Sequence, residues 1–470
     1  MKKLAIVLLI ASLLACGTAR AANETTYESA GFRYALLADG SAELIAYLGE
    51  GGPVIIPNKL DGHPITAVRD NPFIIKNEQD NPVGVKDCAV SVPVDHPYLA
   101  TINGVVFGKT DRRLIYCPPS VTGEYAIPQG IRVIGKQAFY GCTGMTGVTI
   151  PDSVTTINMW AFHKCSGLTS VVIPDSVTTI DVAAFEECTG LVSATLPAGL
   201  TEIPWAIFHG CEALTDLTIP DGVTEIGWYA FNGCAKLESI VIPAGVTQIQ
   251  PSTFQGCGSL RSVTLPAGLT SIGKQAFEEC YVLESLTLPE SLTSIGEYAF
   301  CLCMSLQEVT LPGHVAVGKY AFGGCFQLQR IVIPDGVTSI GEYAFCVCDL
   351  KEVALPESLT VIEAGVFASN RNLTSVTIPE GVASIGAEAF MDCDSLKSIV
   401  VPESVASIGE HAFDSKTGED PNAVYTPYED LVFSVVPGSY AEGWCLTNGR
   451  QYVATGVVYG DTDDWLTDLH

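Results

Sequence analysis

Between Ile127 and Phe413 the chain repeats a single phrase, and that repetition limits its fold more than any other feature. A representative copy runs Leu283-Glu-Ser-Leu-Thr-Leu-Pro289-Glu-Ser-Leu292-Thr-Ser-Ile295-Gly296-Glu-Tyr-Ala-Phe300-Cys-Leu-Cys303. A proline recurs from Pro128 to Pro402 and a phenylalanine from Phe139 to Phe413, in steps of 23 residues that twice shorten to 22 in each series. A unit this short cannot bury its own apolar face, so it must stack on its neighbours, and a fixed short period means a solenoid. The 470 residues therefore do not imply several globular domains, because a solenoid grows in one dimension.

Three pieces can be placed within each repeat. Leu168-Thr-Ser-Val171-Val-Ile173 is a short strand with three inward residues, and Pro174 ends it. Val177 and Ile180 point inward across a second extended piece, with glycine at the following corner in copies such as Gly273 and Gly296. Ala184-Phe185-Glu-Glu-Cys188 predicts a single helical turn that plugs Phe into the core. Equivalent strands of successive coils pair in parallel. Of the 17 cysteines, eleven sit on the repeat from Cys142 to Cys393, and Asn370 fills the one missing rung. In-line thiols whose Cβ vectors run parallel make poor bridges, so the ladder predicts buried free cysteines.

The flanks read differently. Residues 1–21 look like a signal peptide, with Lys2 and Lys3, an apolar run Leu4–Leu14, and Ala19-Arg20-Ala21 before the cleavage point. Leu13-Leu14-Ala15-Cys16 offers the alternative of lipidation at Cys16. Residues 22–126 are degenerate repeats and a cap, with a hairpin predicted around Asn103-Gly104; 127–413 are the solenoid. Residues 414–455 form a loop followed by a closing strand and helix, and 456–470 an acidic tail. No apolar run reaches the length of a membrane-spanning helix. Net charge is −28, and loss of Lys2, Lys3 and Arg20 with the leader takes it to −31. Such a surface repels phosphate backbones, which excludes nucleic acid as a partner class and leaves cationic or neutral ones.

The phrase L-x-S-V-x-I-P-x-x-V-T-S-I-G-x-x-A-F-x-x-C closely resembles the BspA-like class of bacterial leucine-rich repeats, over about residues 30–455. The resemblance implies a leucine-rich repeat solenoid, a β/α superhelix, on an exported or cell-surface protein. It also implies protein binding, with adhesion to host or neighbouring-cell surfaces, and no shared catalytic residues. Surface display would rest on Cys16, since there is no wall-sorting signal and no late membrane segment.

No nucleophile–base set, metal-protease motif or phosphate loop is present, so neither an enzyme nor a cofactor is expected. Four groups of residues remain as binding candidates. On the strand face the outward columns are mostly Ser and Thr, broken by Asp216 and by the run Glu308, Arg330, Glu352. Near the Phe ladder cluster Trp160, Trp205, Trp228 and Tyr229, a combination that suits hot spots and sugar platforms and carries the alternative of a mucin-glycan ligand. The residue after the ladder Phe reads His163, Glu186, His209 in three consecutive coils, a weak candidate column for zinc. The last is Cys16. Mass spectrometry of the mature N-terminus separates its two fates: a first residue of Ala22 means release, a lipidated Cys16 means membrane anchoring.

Overall fold

The computed structural model describes residues 24–418 and 424–455; the leader with Cys16 and the acidic tail lie outside them. The chain divides into two compact units, residues 1–220 and 221–470.

The first unit opens with a sheet in the order Thr26–Ser29, Phe32–Leu36, Ala42–Tyr47, His63–Val68, Lys59–Leu60. It buries Phe32, Leu44, Ile65, Phe73 and Tyr116 in one cluster. A hairpin then joins Leu99–Ile102 to Val105–Gly108, with both turn residues left-handed (Asn103 φ 50°, Gly104 φ 81°), as a tight two-residue hairpin requires. From there two parallel ladders run side by side. One carries Gly123–Ala126, Met145–Thr149, Ser170–Val172, Ser193–Thr195 and Asp216–Leu217; the other passes through Arg113–Tyr116, Val133–Ile134, Thr156–Ile157 and Thr179–Ile180. Both strands expected in a repeat are therefore present in this unit, each contributing equivalent residues at one register.

The third piece differs from the expectation of a helical turn. It is a strap of overlapping turns whose amides alternate in direction. Ala161, His163 and Cys165 N donate to Asn158, Trp160 and Phe162 O of their own coil, at 3.1 Å each. Between them, Trp160, Phe162 and Lys164 N donate to Val182, Ala184 and Glu186 O of the next coil, at 3.3, 2.8 and 2.9 Å. Trp160 and Lys164 have φ of 56° and 61°, and the same positions are left-handed in coil after coil. A helix would turn every amide back on its own coil; the strap gives half of them to its neighbour.

Inside the strap the phenylalanines are fully buried and stacked. In the first unit Phe139, Phe162 and Phe185 follow at centroid distances of 4.8 and 4.9 Å, nearly parallel, and Tyr125 closes the near end edge-on at 5.7 Å. From Cys165 on, ladder thiols reach back to an earlier Phe carbonyl: Cys165 Sγ to Phe139 O at 3.0 Å, Cys188 Sγ to Phe162 O at 3.1 Å. The ladder cysteines are free and buried.

The second unit continues the pattern, with Phe231 to Phe300 at centroid spacings of 5.2–5.3 Å. One repeat lacks a residue between Cys348 and Leu350, so Leu350 N cannot bond back to the Cys carbonyl as Leu168 N does to Cys165 O. Asn370, the substitute rung, supplies the acceptor: its Oδ1 takes the Leu350 amide at 3.2 Å while its Nδ2 reaches Phe345 and Phe367 O, both at 2.8 Å. A thiol can act as the donor but cannot do both.

At the far end, the predicted loop from Asp414 is instead a hairpin, Asp414–Thr417 with Val424–Pro427. Strand Val432–Val435 joins the sheet beside Ser398–Val401, helix Tyr440–Thr447 follows with Ser439 as its N-cap, and a further strand, Gln451–Ala454, is the edge. Phe433 and Trp444 meet Phe413 edge-on at 5.1 and 6.1 Å, which ends the Phe stack. Arg450 pairs with buried Asp414 at 2.5 Å and ties this cap to the last repeat. Among the described residues no helix is long and apolar enough to cross a membrane.

Two outcomes follow from this core. Phe254→Ala deletes a fully buried ring and should cost about 3–5 kcal/mol. Because coils hold only their neighbours, hydrogen exchange should quicken in adjacent coils first; a uniform rise along the chain would contradict this. Burial pushes the Cys257 thiol up to about 12, so the ladder should resist a thiol reagent at pH 8 in the folded protein and react fully once denatured.

Candidate functional site

The strand face of the second unit holds the charged run. Arg330 and Glu308 stand directly opposite each other on paired strands, Glu308–Thr310 and Arg330–Val332, and their side chains form an ion pair while more than half exposed. In solvent such a pair adds well under ~1 kcal/mol to stability. Its effect is to aim the guanidinium. The sequence places Glu352 on Arg330's other side, but the ladder parts there: strand Glu352–Ala354 bonds to Ser375–Thr377 and not to Arg330–Val332. Where the strands part lies a groove of about 400 Å³ lined by Arg330–Ile333, Glu352–Ala354, Ser375 and Thr377. A second, of about 430 Å³, is lined by Gln307, Glu308, Gln327, Gln329 and Arg330. Arg330 borders both. Gln329 and Lys351, bonded side chain to side chain at 3.0 Å, belong to this surface and were missed because each precedes the outward columns by one residue. Asp216 is exposed at the start of the last strand of the first unit's ladder, opposite Ser193.

The column His163, Glu186, His209 comes together, though as a hydrogen-bonded cluster. Glu186 is buried; its Oε1 lies 3.0 Å from His209 Nδ1, and its Oε2 lies 3.2 Å from His163 Nδ1 and accepts from Trp160 Nε1 at 2.8 Å. Both carboxylate oxygens are thus taken up by ring nitrogens, and no common point is left for an ion. Among the described residues no group of three or more His, Cys, Asp or Glu is arranged to hold a metal. Burial by itself would raise the Glu186 pKa. The hydrogen bonds and positive charge of His163 and His209 outweigh it and hold the carboxyl at about 2.

The aromatic cluster splits. Trp160 is only 6% exposed and serves as a donor to Glu186, so it offers no face to a ligand. Trp205 and Tyr229 are half-buried. Trp228, at 41%, is the exposed member, its Nε1 held by Gln250 Oε1 at 2.9 Å.

The sequence profile of the "BspA type Leucine rich repeat region" matches in six copies, over residues 120–238, 224–317 and 313–419. A leucine-rich repeat protein from Bacteroides ovatus is 28% identical, with 65% of this chain and 94% of that chain covered and a TM-score of 0.48. A leucine-rich cell surface protein from Faecalibacterium prausnitzii is 24% identical, covering 90% of this chain and 97% of its own, with a TM-score of 0.41. The pneumococcal vaccine antigen PcpA is 19% identical over 92% of this chain and 99% of its own, with a TM-score of 0.40. None of the curated proteins compared matches the chain.

Glu186 generates a pH test. Its folded pKa lies below the ordinary 4.5, so its contribution to stability is complete above pH 4.5 and is lost as pH falls toward 2. Glu186→Gln should lower the melting temperature at pH 7, by the equivalent of roughly 1–3 kcal/mol. The gap to the parent should close as pH falls below 4.5. A gap that stays constant with pH would show that the carboxylate charge is not what the histidines hold.

Proposed function

Because the chain belongs to the BspA-type leucine-rich repeat family, we propose that it is an exported protein that binds other macromolecules, foremost proteins on host or neighbouring-cell surfaces, and serves adhesion. Export is supported by the basic start, the apolar run and the A-x-A site of residues 1–21, and anchoring by Cys16. A binding scaffold rather than an enzyme fits a surface of stacked Ser and Thr without a nucleophile–base set.

The observation that carries the reading is Arg330. It sits where the strand ladder parts, borders two grooves, and is aimed by Glu308 without being buried. A guanidinium oriented in this way keeps donors for a partner's carboxylate or backbone carbonyl. Glu352 across the gap adds an acceptor, and Asp216 an outlying charge on the first unit. A stacked repeat builds an extended face of this kind more readily than a deep cleft.

A second reading, a glycan ligand, is supported by Trp228, whose indole is exposed and fixed by Gln250. Binding to immobilised extracellular-matrix proteins, read by surface plasmon resonance, distinguishes the two. Arg330→Glu should weaken capture at least tenfold and leave the melting temperature within a degree or two, while Trp228→Ala changes little. If Arg330→Glu binds as the parent does and Trp228→Ala abolishes binding on a glycan array, the strand face is not the site.

A further inference from the structure

Two columns of the turn strap change character in the middle of the second unit. The residue two after the ladder Phe is Gly or charged in most coils, as at Lys164, Glu187, Gly233 and Gly256; the residue just after the ladder Cys is small or polar, as at Ser166, Thr189, Glu212 and Ala235. Over the coils from Phe277 to Phe345 the first column instead gives Leu302 and Val347, and the second Tyr281, Met304 and Phe326. Tyr281, Phe326 and Val347 are 39, 49 and 41% exposed, and Leu302 and Met304 half-buried.

These side chains form one surface. Tyr281 O accepts from Ser305 N at 3.1 Å and Met304 O from Gln327 N at 3.2 Å, so the second column advances one coil at a time. In the first column, Gly324 stands between Leu302 and Val347. A Cβ there would lie 2.8 Å from Leu302 Cδ2, so the missing side chain is what lets Leu302 lie across the gap. Single exposed apolar residues are ordinary; several in consecutive coils, on positions that are polar elsewhere, mark an interaction surface.

Charge indicates the occupant. Glu279 stands in the first column and Asp349 in the second. Three of the nearby cations are already paired: Arg261 with Glu284 at 3.0 Å, Lys274 with Glu297 at 2.6 Å, and Lys319 with Glu342. The rim is therefore negative around an apolar centre. We propose that this edge docks a cationic segment of a partner protein, one whose aromatic or aliphatic anchors are flanked by Lys or Arg. A second copy fits poorly. It would bring together two chains of charge −28, and five partly exposed side chains fall well short of the roughly 800 Å² per partner of a standard interface. The same negative rim repels an anionic membrane.

The test uses the mature chain and three labelled synthetic peptides of equal length: one alternating Lys with Trp and Leu, one with the Trp and Leu replaced by Ser, and one with the Lys replaced by Glu. The first should bind at least tenfold more tightly than either other, and should weaken as salt rises. Phe326→Ser and, separately, Val347→Lys should each weaken it at least fivefold with circular dichroism and melting temperature unchanged. Arg330→Glu should leave it unaltered, which separates this edge from the strand face. Three results would overturn the proposal: equal binding of the Ser peptide, unchanged affinity in both edge variants, or a dimer or vesicle association of the parent that Phe326→Ser abolishes.

Discussion

In the turn strap alternate amides serve different coils, and most of the molecule's sequence rules follow from that. A buried backbone group left unpaired costs about as much as a lost hydrogen bond. The strap avoids the loss by giving one amide to its own turn and the next to the coil beyond. The alternation requires left-handed residues at Trp160, Tyr229, Tyr298 and their equivalents, each at about 1–2 kcal/mol. It also fixes what the ladder cysteine does. The Phe139 carbonyl accepts Cys142 N from its own coil and Cys165 Sγ from the next, using both of its lone pairs. The rung must be small enough for a filled core, apolar enough to be buried, and able to donate once. Cysteine meets all three conditions, so the chain can hold a long file of thiols without disulfides.

One deleted residue shows how tightly these conditions are coupled. Shortening the path from Cys348 to Leu350 orphans one amide. The orphan is met one coil away, where Asn370 replaces cysteine because an amide side chain accepts as well as donates. Strand Glu352–Ala354, which follows, begins a ladder of its own. Asn370 keeps the core satisfied, while the strand face, open to water, stays parted.

The solenoid, its two strands per coil and its buried thiols were legible because period and register are linear properties of the sequence. The strap was not. Ala-Phe-x-x-Cys spaces its apolar residues as a helical turn does, and a left-handed Trp or Tyr has no compositional mark of the kind glycine would leave. The hairpin from Asp414 was hidden for the opposite reason: Gly418 and Pro421 are loop residues by type, and pairing with Val424–Pro427 is a tertiary fact. At the sites, the column of His163, Glu186 and His209 was visible, since stacking follows from the period. Its burial was not, because nothing in the column tells that Trp160 closes over Glu186.

Exposure decides how each departure from the repeat should be read. A departure that is buried must complete its hydrogen bonds within the fold, as Glu186 does between the His209 imidazole and the Trp160 indole and as Asn370 does among three backbone groups; such residues are used up by the core. A departure that remains exposed has no such obligation. Arg330 needs nothing from the core, and its pair with Glu308 adds almost no stability. Phe326 gives up apolar burial by facing water. Fold stability explains neither residue, and the binding proposed above for each surface would. The two surfaces differ in chemistry, one a polar grid with an oriented cation, the other an apolar edge with an acidic rim, so a partner matched to one is poorly matched to the other.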